Sequence, residues 1–209
     1  MSALVTLEGP AAPLLEADVN TDSIAPLYRE AGGAAKAGER TQDELAQNLF
    51  ANRRFDRDGN ETDFVLNRPA FRHAAFLIGG PNFACGSSRE TAATMLAAFG
   101  IRCVIAPNIA SIFFDNCFRN YMLPLELDGE TVEGLGRQAV TGANFTLDVE
   151  RGFLMPPEGP PIAFALPAFR RELLLTGADE ITVTLKRADQ IAAYEASAKG
   201  RRPWEMQAG

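Results

Sequence analysis

The sequence predicts an α/β fold, and three consecutive segments in the middle of the chain support that prediction. Residues 75–78 form a continuous apolar run that ends at Gly79, as expected for a buried strand. An amphipathic helix follows as far as Phe99 and is terminated by Gly100. Residues 101–106 are a second apolar run. A strand, a helix and a strand in this order predict two parallel strands joined by a right-handed crossover.

Shorter elements are predicted towards the N-terminus. Residues 3–7 are predicted to form a strand that is broken by the Gly-Pro pair at residues 9–10. Residues 41–50 are predicted to form a helix, because Thr41 and Glu44 have the spacing of a capping box.

The C-terminal half alternates helices and strands in the same way. The predicted elements are a helix at 110–120, a strand at 123–127, a helix at 131–140, strands at 145–149 and 162–165, and helices at 167–175 and 188–198. Within 110–120, Ile112, Phe113 and Cys117 have the spacing of core residues. No internal repeat or domain boundary is visible, so we expect one domain over residues 1–209 with a frayed tail at 199–209.

The connection between the central strand and helix is rich in glycine and hydroxyl groups. Ser87 and Glu90 have capping-box spacing, which predicts a helix N-terminus at Ser87. Backbone N–H groups and the helix dipole would favour an anion there, and Arg89 offers a planar donor fork for a carboxylate. The ordinary alternative is that Ser87 only caps the helix and Arg89 is only a solvated side chain.

Two further segments are polar or low in apolar periodicity. Residues 20–23, Asn-Thr-Asp-Ser, are good turn formers, and as a functional alternative they could supply an aspartate to a site. Residues 27–40 are rich in Gly and Ala and predict a mobile surface loop that acts as a lid or contacts a partner.

Charge and cysteine usage exclude several classes of protein. The net charge of −7, from 20 basic and 27 acidic residues, argues against nucleic-acid binding. No apolar stretch is long enough for a membrane span and the N-terminus lacks a signal-peptide pattern, so we expect a cytoplasmic protein. Cys85, Cys103 and Cys117 match neither a disulfide framework nor a metal clip, so reduced thiols and no metal site are expected.

Several blocks of this sequence, taken together, resemble one family. They are Asp-Phe-Val-Leu-Asn at 63–67, Asn-Phe-Ala-Cys-Gly-Ser-Ser-Arg-Glu at 82–90, Val-Ile-Ala-Pro at 104–107, Asn-Cys-Phe-Arg-Asn at 116–120, Leu-Pro-Leu at 123–125 and Ile-Ala-Ala-Tyr-Glu at 191–195. In this order they are similar to the small subunits of 3-isopropylmalate dehydratase (isopropylmalate isomerase), the separately encoded counterpart of the swivelling domain of aconitase.

The resemblance implies a three-layer β/β/α swivelling domain in a two-chain hydro-lyase. The chain would work only with a large subunit, in a heterodimer or heterotetramer, and that partner would carry a [4Fe–4S] cluster. The substrate would be a small hydroxy-dicarboxylate: 2-isopropylmalate, which is isomerised to 3-isopropylmalate in leucine biosynthesis by dehydration and rehydration.

The resemblance also implies roles for individual residues. Ser87 would remove the proton next to a carboxylate, Ser88 would assist by hydrogen bonding, and Arg89 would hold a substrate carboxylate. Asp22 and Thr21 would face the same site. Residues 27–40 would form the loop that distinguishes substrates, with Leu27, Tyr28 and Arg29 as its selecting residues.

The sequence departs from the family pattern at three places. Thr91 stands where the family usually has histidine, Asn20 stands where it has aspartate, and the selecting loop is altered. A paralogue that acts on a related hydroxy-dicarboxylic acid is therefore a further hypothesis, and a non-catalytic binding or regulatory subunit is another. A thiol enzyme that uses Cys85 is a third alternative, with only His73 available as a base.

Overall fold

The computed structural model describes residues 3–26, 40–86 and 89–201. Residues 1–177 and 178–209 form two separate compact units.

The first unit is built on one seven-stranded sheet with helices packed on it. The strands are β1 (Thr6–Leu14), β2 (Phe76–Gly79), β3 (Cys103–Ala106), β4 (Leu123–Glu126), β5 (Asn144–Asp148), β6 (Phe153–Met155) and β7 (Ile162–Ala163). The helices are α1 (Thr21–Ile24), α2 (Gln42–Asn48), α3 (Ala51–Arg54), α4 (Thr91–Phe99), α5 (Ser111–Arg119), α6 (Gly129–Ala139) and α7 (Ala168–Thr176). Two 3₁₀ turns, Val65–Asn67 and Pro69–Phe71, precede β2.

The sheet is mixed, with the strand order β4-β3-β2-β1-β5-β6-β7. Strands β1 to β4 are parallel to one another, whereas β5, β6 and β7 pair in antiparallel fashion on the other side of β1. The predicted α/β fold and the parallel pair at its centre are therefore confirmed.

The continuous apolar runs follow from burial of the parallel strands on both faces. In β2, Phe76 and Ile78 pack into one hydrophobic cluster, and Leu77 packs into another on the opposite face. The first cluster also contains α6 side chains, and the second contains side chains of α2, α4 and α5. Because neither face of these strands meets water, no alternation of polar and apolar residues appears in the sequence.

The predicted strand at residues 3–7 is wrong in its bounds, because β1 starts at Thr6 and passes through the Gly-Pro pair to Leu14. The strand changes its main partner at this pair. Residues 6–10 pair with β5 on one side, and residues 11–14 pair with β2 on the other. The Pro10 carbonyl still accepts a hydrogen bond from the Ala75 N–H at 3.0 Å, so the missing donor of Pro10 does not end the strand.

Most of the other predicted elements are also present. The capping box of Thr41 and Glu44 is confirmed at the start of α2, and the predicted helix at 131–140 is confirmed as α6, which Asp128 caps. Strand β6 was not predicted. The core position predicted for Ile112 is wrong, because this side chain is 48% exposed, while Phe113 and Cys117 are buried.

The second unit contains α8 (Glu180–Leu185) and α9 (Ala188–Arg201). The Asp179 carboxylate caps α8 by accepting the Thr182 N–H at 2.6 Å. The helix predicted at 188–198 is confirmed, and it continues into the predicted frayed tail as far as Arg201. The remainder of that tail lies outside the described residues, and the single domain over 1–209 stays a prediction. None of the described helices is long and apolar enough to cross a membrane.

A buried arginine fixes the C-terminal end of α2. Arg54 is 9% exposed, and its guanidinium donates to the Asn67 Oδ1 at 3.1 Å and to the carbonyl oxygens of Ala46 at 2.9 Å and Leu49 at 3.3 Å. Burial lowers the pKa of Arg54, because desolvation disfavours its charge. These bonds satisfy carbonyl groups that the helix leaves without internal partners.

We expect Arg54→Met to lower the free energy of unfolding by about 2–4 kcal/mol, since it leaves buried carbonyl oxygens without donors. Urea unfolding followed by circular dichroism measures this loss. Arg57→Met is the matched control, because Arg57 is exposed, and its effect should stay within about 0.5 kcal/mol. Equal losses in the two variants would contradict a structural role of the Arg54 hydrogen bonds.

Candidate active site

Three loops meet at the carboxyl ends of the parallel strands. The loops that follow β1 and β2 are joined by the bond from the Ala84 N–H to the Val19 carbonyl at 2.7 Å. The loops that follow β2 and β3 are joined by the bond from the Ala110 N–H to the Phe83 carbonyl at 3.0 Å. This edge of an open α/β sheet is where ligands most often bind.

Side chains and strained backbone reinforce the same junction. The Asn82 amide Nδ2 donates to the Asp18 Oδ1 at 2.7 Å, and the Asn82 N–H donates to the side chain of Asn108. Asp18, Asn82 and Ala84 adopt φ of 57°, 56° and 58° in the left-handed region. Such conformations persist only where surrounding contacts impose them, and they cluster at functional sites. Sequence reasoning missed this junction, although polar residues directly after two apolar strands were a usable signal.

Two glycines allow the loop after β2 to run through this junction. A Cβ on Gly80 would lie 2.3 Å from the Glu16 carbonyl oxygen, so no larger residue fits there. Gly86 adopts φ +104°, which L-residues rarely adopt. These two glycines therefore allow the loop to pass from the sheet edge through the junction as far as Gly86.

The predicted N-terminus of the central helix is wrong. Helix α4 begins at Thr91, with Glu90 rather than Ser87 in the N-cap position, and Glu90 provides no side-chain cap. The Glu90 carboxylate instead accepts a hydrogen bond from the Asn120 Nδ2 at 2.9 Å. That contact with the end of α5 takes Glu90 away from the reciprocal bond that a capping box requires.

The structure brings two of the predicted site residues together. The Arg89 guanidinium donates to the Asp22 Oδ1, and both side chains are partly exposed. Asp22 is held in α1, whose N-cap Asn20 accepts the Ser23 N–H at 2.8 Å. Asp22 thus orients the guanidinium, and both charges remain accessible to a ligand.

A cavity of about 260 Å³ adjoins this pair. One part of its lining is polar or cationic, namely Thr21, Arg40, Arg89 and Thr91, and the other part is apolar, namely Ala25, Pro26, Leu45, Ala92 and Met95. Thr91 and Ala92 of the first turn of α4 contribute to the wall, so the positive end of the helix dipole lies near the cavity. This combination suits a small anion that carries an apolar group. The sequence indicated Arg40 only as the last residue of the predicted loop at 27–40, and it did not indicate Met95 as a site residue.

Thr21 has a buried hydroxyl group that forms no hydrogen bond in the part of the fold that the structure describes. The residue is 4% exposed, and its Oγ1 has no hydrogen-bond partner among the described residues. Its backbone N–H does bond to the Cys85 carbonyl, at 2.9 Å. Buried hydroxyl groups are normally satisfied, so an orphaned hydroxyl beside a cavity is suited to binding a ligand.

Other predicted site residues lie outside the described part of the chain: Ser87, Ser88, Leu27, Tyr28 and Arg29. The predicted mobility of residues 27–40 is likewise untested, except that Arg40 is described.

The three cysteines have different surroundings. Cys85 is partly exposed, and its Sγ lies 3.8 Å from the Asp18 carbonyl oxygen, to which the thiol can donate. Cys103 and Cys117 are buried, and desolvation raises the pKa of both thiols. Over residues 3–26, 40–86 and 89–201, no group of three or more His, Cys, Asp or Glu side chains is placed to hold a metal ion.

Comparison with known proteins identifies the family. Residues 1–130 match the aconitase C-terminal domain, and residues 180–205 match the C-terminal domain of the 3-isopropylmalate dehydratase small subunit. The chain is 46% identical over 207 residues to the 3-isopropylmalate dehydratase small subunit of Paramagnetospirillum magneticum, covering 98% of this chain and all of that protein. The chain belongs to the family of 3-isopropylmalate dehydratase small subunits.

A second family member and a solved structure agree with this assignment. The small subunit of Rhodospirillum centenum is 46% identical over 209 residues, covering 99% of this chain and all of that protein. A crystal structure of 3-isopropylmalate dehydratase from Methanocaldococcus jannaschii superposes with a TM-score of 0.61 at 22% identity, covering 91% of this chain and 99% of that chain. The predicted aconitase-type fold is therefore confirmed.

We expect Thr21→Val to leave the free energy of unfolding unchanged, or to raise it by up to about 1 kcal/mol, because the hydroxyl forms no hydrogen bond within the described part of the chain. Urea unfolding of the chain measures the effect. Thr62→Val is the matched control, since the Thr62 hydroxyl donates to the Arg53 carbonyl at 2.5 Å. Loss of this hydrogen bond should lower the free energy of unfolding. A clear loss of stability in Thr21→Val would show that the fold does use this hydroxyl.

Proposed function

We propose that this chain is the small subunit of a two-chain hydro-lyase that interconverts 2-isopropylmalate and 3-isopropylmalate by dehydration and rehydration. The observation that carries the proposal is the full-length similarity to proteins named 3-isopropylmalate dehydratase small subunit. The cavity at the sheet edge supports it, because a diacid with a branched alkyl group needs cations beside an apolar wall. A cytoplasmic location stays a prediction.

In this proposal, Ser87 removes the proton from the carbon next to a substrate carboxylate. A serine is a weak base unless its alkoxide is stabilised. The start of α4 four residues later and the guanidinium of Arg89 both favour negative charge in this region. Ser88 would assist by hydrogen bonding.

Three further residues would hold the substrate. Arg89 presents a planar fork to one carboxylate, and Asp22 keeps that fork oriented. The unpaired hydroxyl of Thr21 would donate to a substrate oxygen.

The chemistry also requires an acid at the leaving hydroxyl, and we propose that the large subunit supplies it. A [4Fe–4S] cluster, when bound there, provides a Lewis acid for that hydroxyl. Two of the three cysteines of this chain are consistent with a cluster held by the large subunit. Cys103 and Cys117 are buried thiols whose pKa is raised by desolvation, so neither offers the thiolate that ligates iron.

The substrate's alkyl group would lie against the apolar wall that includes Leu45 and Met95. Selection between isopropylmalate and a related hydroxy-dicarboxylic acid would depend also on Leu27, Tyr28 and Arg29. Thr91 lines the cavity and is smaller than the histidine usual in the family, so it leaves room for a bulky substituent.

We expect Ser87→Ala to lower kcat by about 10²- to 10⁴-fold in the reconstituted two-chain enzyme, as for loss of a general base. Conversion of 2-isopropylmalate, followed by the absorbance of the unsaturated intermediate, measures it. Ser111→Ala is the matched control, because Ser111 is exposed at the start of α5 and should retain full activity.

Two outcomes would contradict the proposal in different ways. Substantial turnover by Ser87→Ala would remove Ser87 as the base. Normal assembly of the wild-type chain with its large subunit, without dehydration of any hydroxy-dicarboxylate, would instead support a non-catalytic regulatory subunit.

We also expect Arg89→Lys to raise KM for 2-isopropylmalate by about tenfold or more, because an ammonium cannot form the two parallel bonds of a guanidinium. Steady-state kinetics of the reconstituted enzyme measure KM and kcat separately. Arg57→Lys, at an exposed position, is the control. An unchanged KM for Arg89→Lys would exclude a bidentate contact between Arg89 and the substrate.

A further inference from the structure

We propose that Arg40 is a second carboxylate-binding residue of this cavity, so that the site recognises both carboxylates of its substrate. The inference rests on the proposed function, because it assumes that a hydroxy-dicarboxylate occupies the cavity. Arg40 and Arg89 both line the cavity, and they are the cationic side chains of its described lining. A dianion that enters such a site needs more than one cation to replace its hydration.

The charge of Arg40 is not neutralised by the rest of the described structure. Arg40 is exposed and forms no ion pair within residues 3–26, 40–86 and 89–201. Arg89, in contrast, already donates to Asp22. Arg40 therefore contributes the positive charge that remains after Arg89 and Asp22 offset each other.

The backbone beside Arg40 is fixed, although the side chain is exposed. The Thr41 N–H donates to the Glu44 Oε2 at 2.8 Å, and the Glu44 N–H donates to the Thr41 Oγ1 at 3.2 Å. This capping box sets where the chain enters α2, and it engages the nearby carboxylate of Glu44. Leu45, one residue further along α2, forms part of the same cavity wall.

The orphaned hydroxyl of Thr21 is an independent sign that the cavity receives a polar ligand. Its Oγ1 is buried without a partner among the described residues, and Thr21 lines the same cavity as the two arginines. Because the remaining lining is largely apolar, these side chains mark where the charged ends of a ligand would lie, and Leu45 and Met95 mark where its apolar part would lie.

The test measures binding to the two-chain complex in a Ser87→Ala background, so that the ligand is not consumed. Isothermal titration gives Kd for 2-isopropylmalate and for each of its two monomethyl esters. Arg40→Gln should weaken binding of the diacid by about tenfold to 100-fold, the range for loss of a hydrogen bond to a charged group. Arg40→Lys should recover part of this loss, and Arg57→Gln should bind like the parent complex.

The esters separate a direct contact from a structural effect. The monoester that lacks the carboxylate held by Arg40 should bind equally well to the parent and Arg40→Gln complexes. An equal loss for the diacid and both esters would overturn the inference, as would an unchanged Kd for the diacid in Arg40→Gln. Failure of the parent complex to bind 2-isopropylmalate would overturn the proposed function itself and the inference with it.

Discussion

The site depends on backbone hydrogen bonds between the loops that follow neighbouring strands. The Ala84 N–H bonds to Val19, and the Thr21 N–H bonds to Cys85, so the loop after β1 and the loop after β2 form one unit. Without these bonds, Asp22 and Arg89 would sit on independent loops, 67 positions apart in the sequence. The same loop pairing accounts for the left-handed backbone conformations of Asp18, Asn82 and Ala84, because hydrogen bonds between the loops hold these residues in place.

The core was predictable from sequence because the parallel strands are buried on both faces. That burial requires apolar residues at every position of β2 and β3, which produces runs that are easily recognised. Strand β1 was harder to predict, since it exchanges its main pairing partner at a Gly-Pro pair that normally signals a break. The start of α4 was misplaced for a related reason. Capping-box spacing is a local pattern, and the contact of Glu90 with Asn120 is a tertiary one.

The candidate site was predictable only in part. Asp22 and Arg89 were recognised through family resemblance, and the structure brings them into contact. The cavity depends on α2 packing beside α4, an arrangement that no local motif encodes. Arg40 was therefore predicted only as the end of the loop at 27–40, and Met95 was not predicted as a site residue. The junction of Asp18, Asn82 and Asn108 escaped notice as well, because its hydrogen bonds link residues far apart in the sequence.

The two arginines of the cavity contribute more to the attraction of an anionic ligand in this acidic chain than they would in a basic protein. With a net charge of −7, the average field of the molecule would repel the dianionic substrate of the proposed function. At physiological ionic strength that field is screened over about 8 Å, so the side chains that line the cavity dominate the electrostatic interaction once the ligand has entered.

The ion pair between Arg89 and Asp22 is weakened by its partial exposure, because water solvates both charges before a ligand binds. In the proposed function, a substrate carboxylate would therefore join Arg89 without first breaking a strong buried interaction. Removal of water by the partner subunit would then strengthen the new contact, because the same charges interact more strongly in a medium of lower dielectric constant.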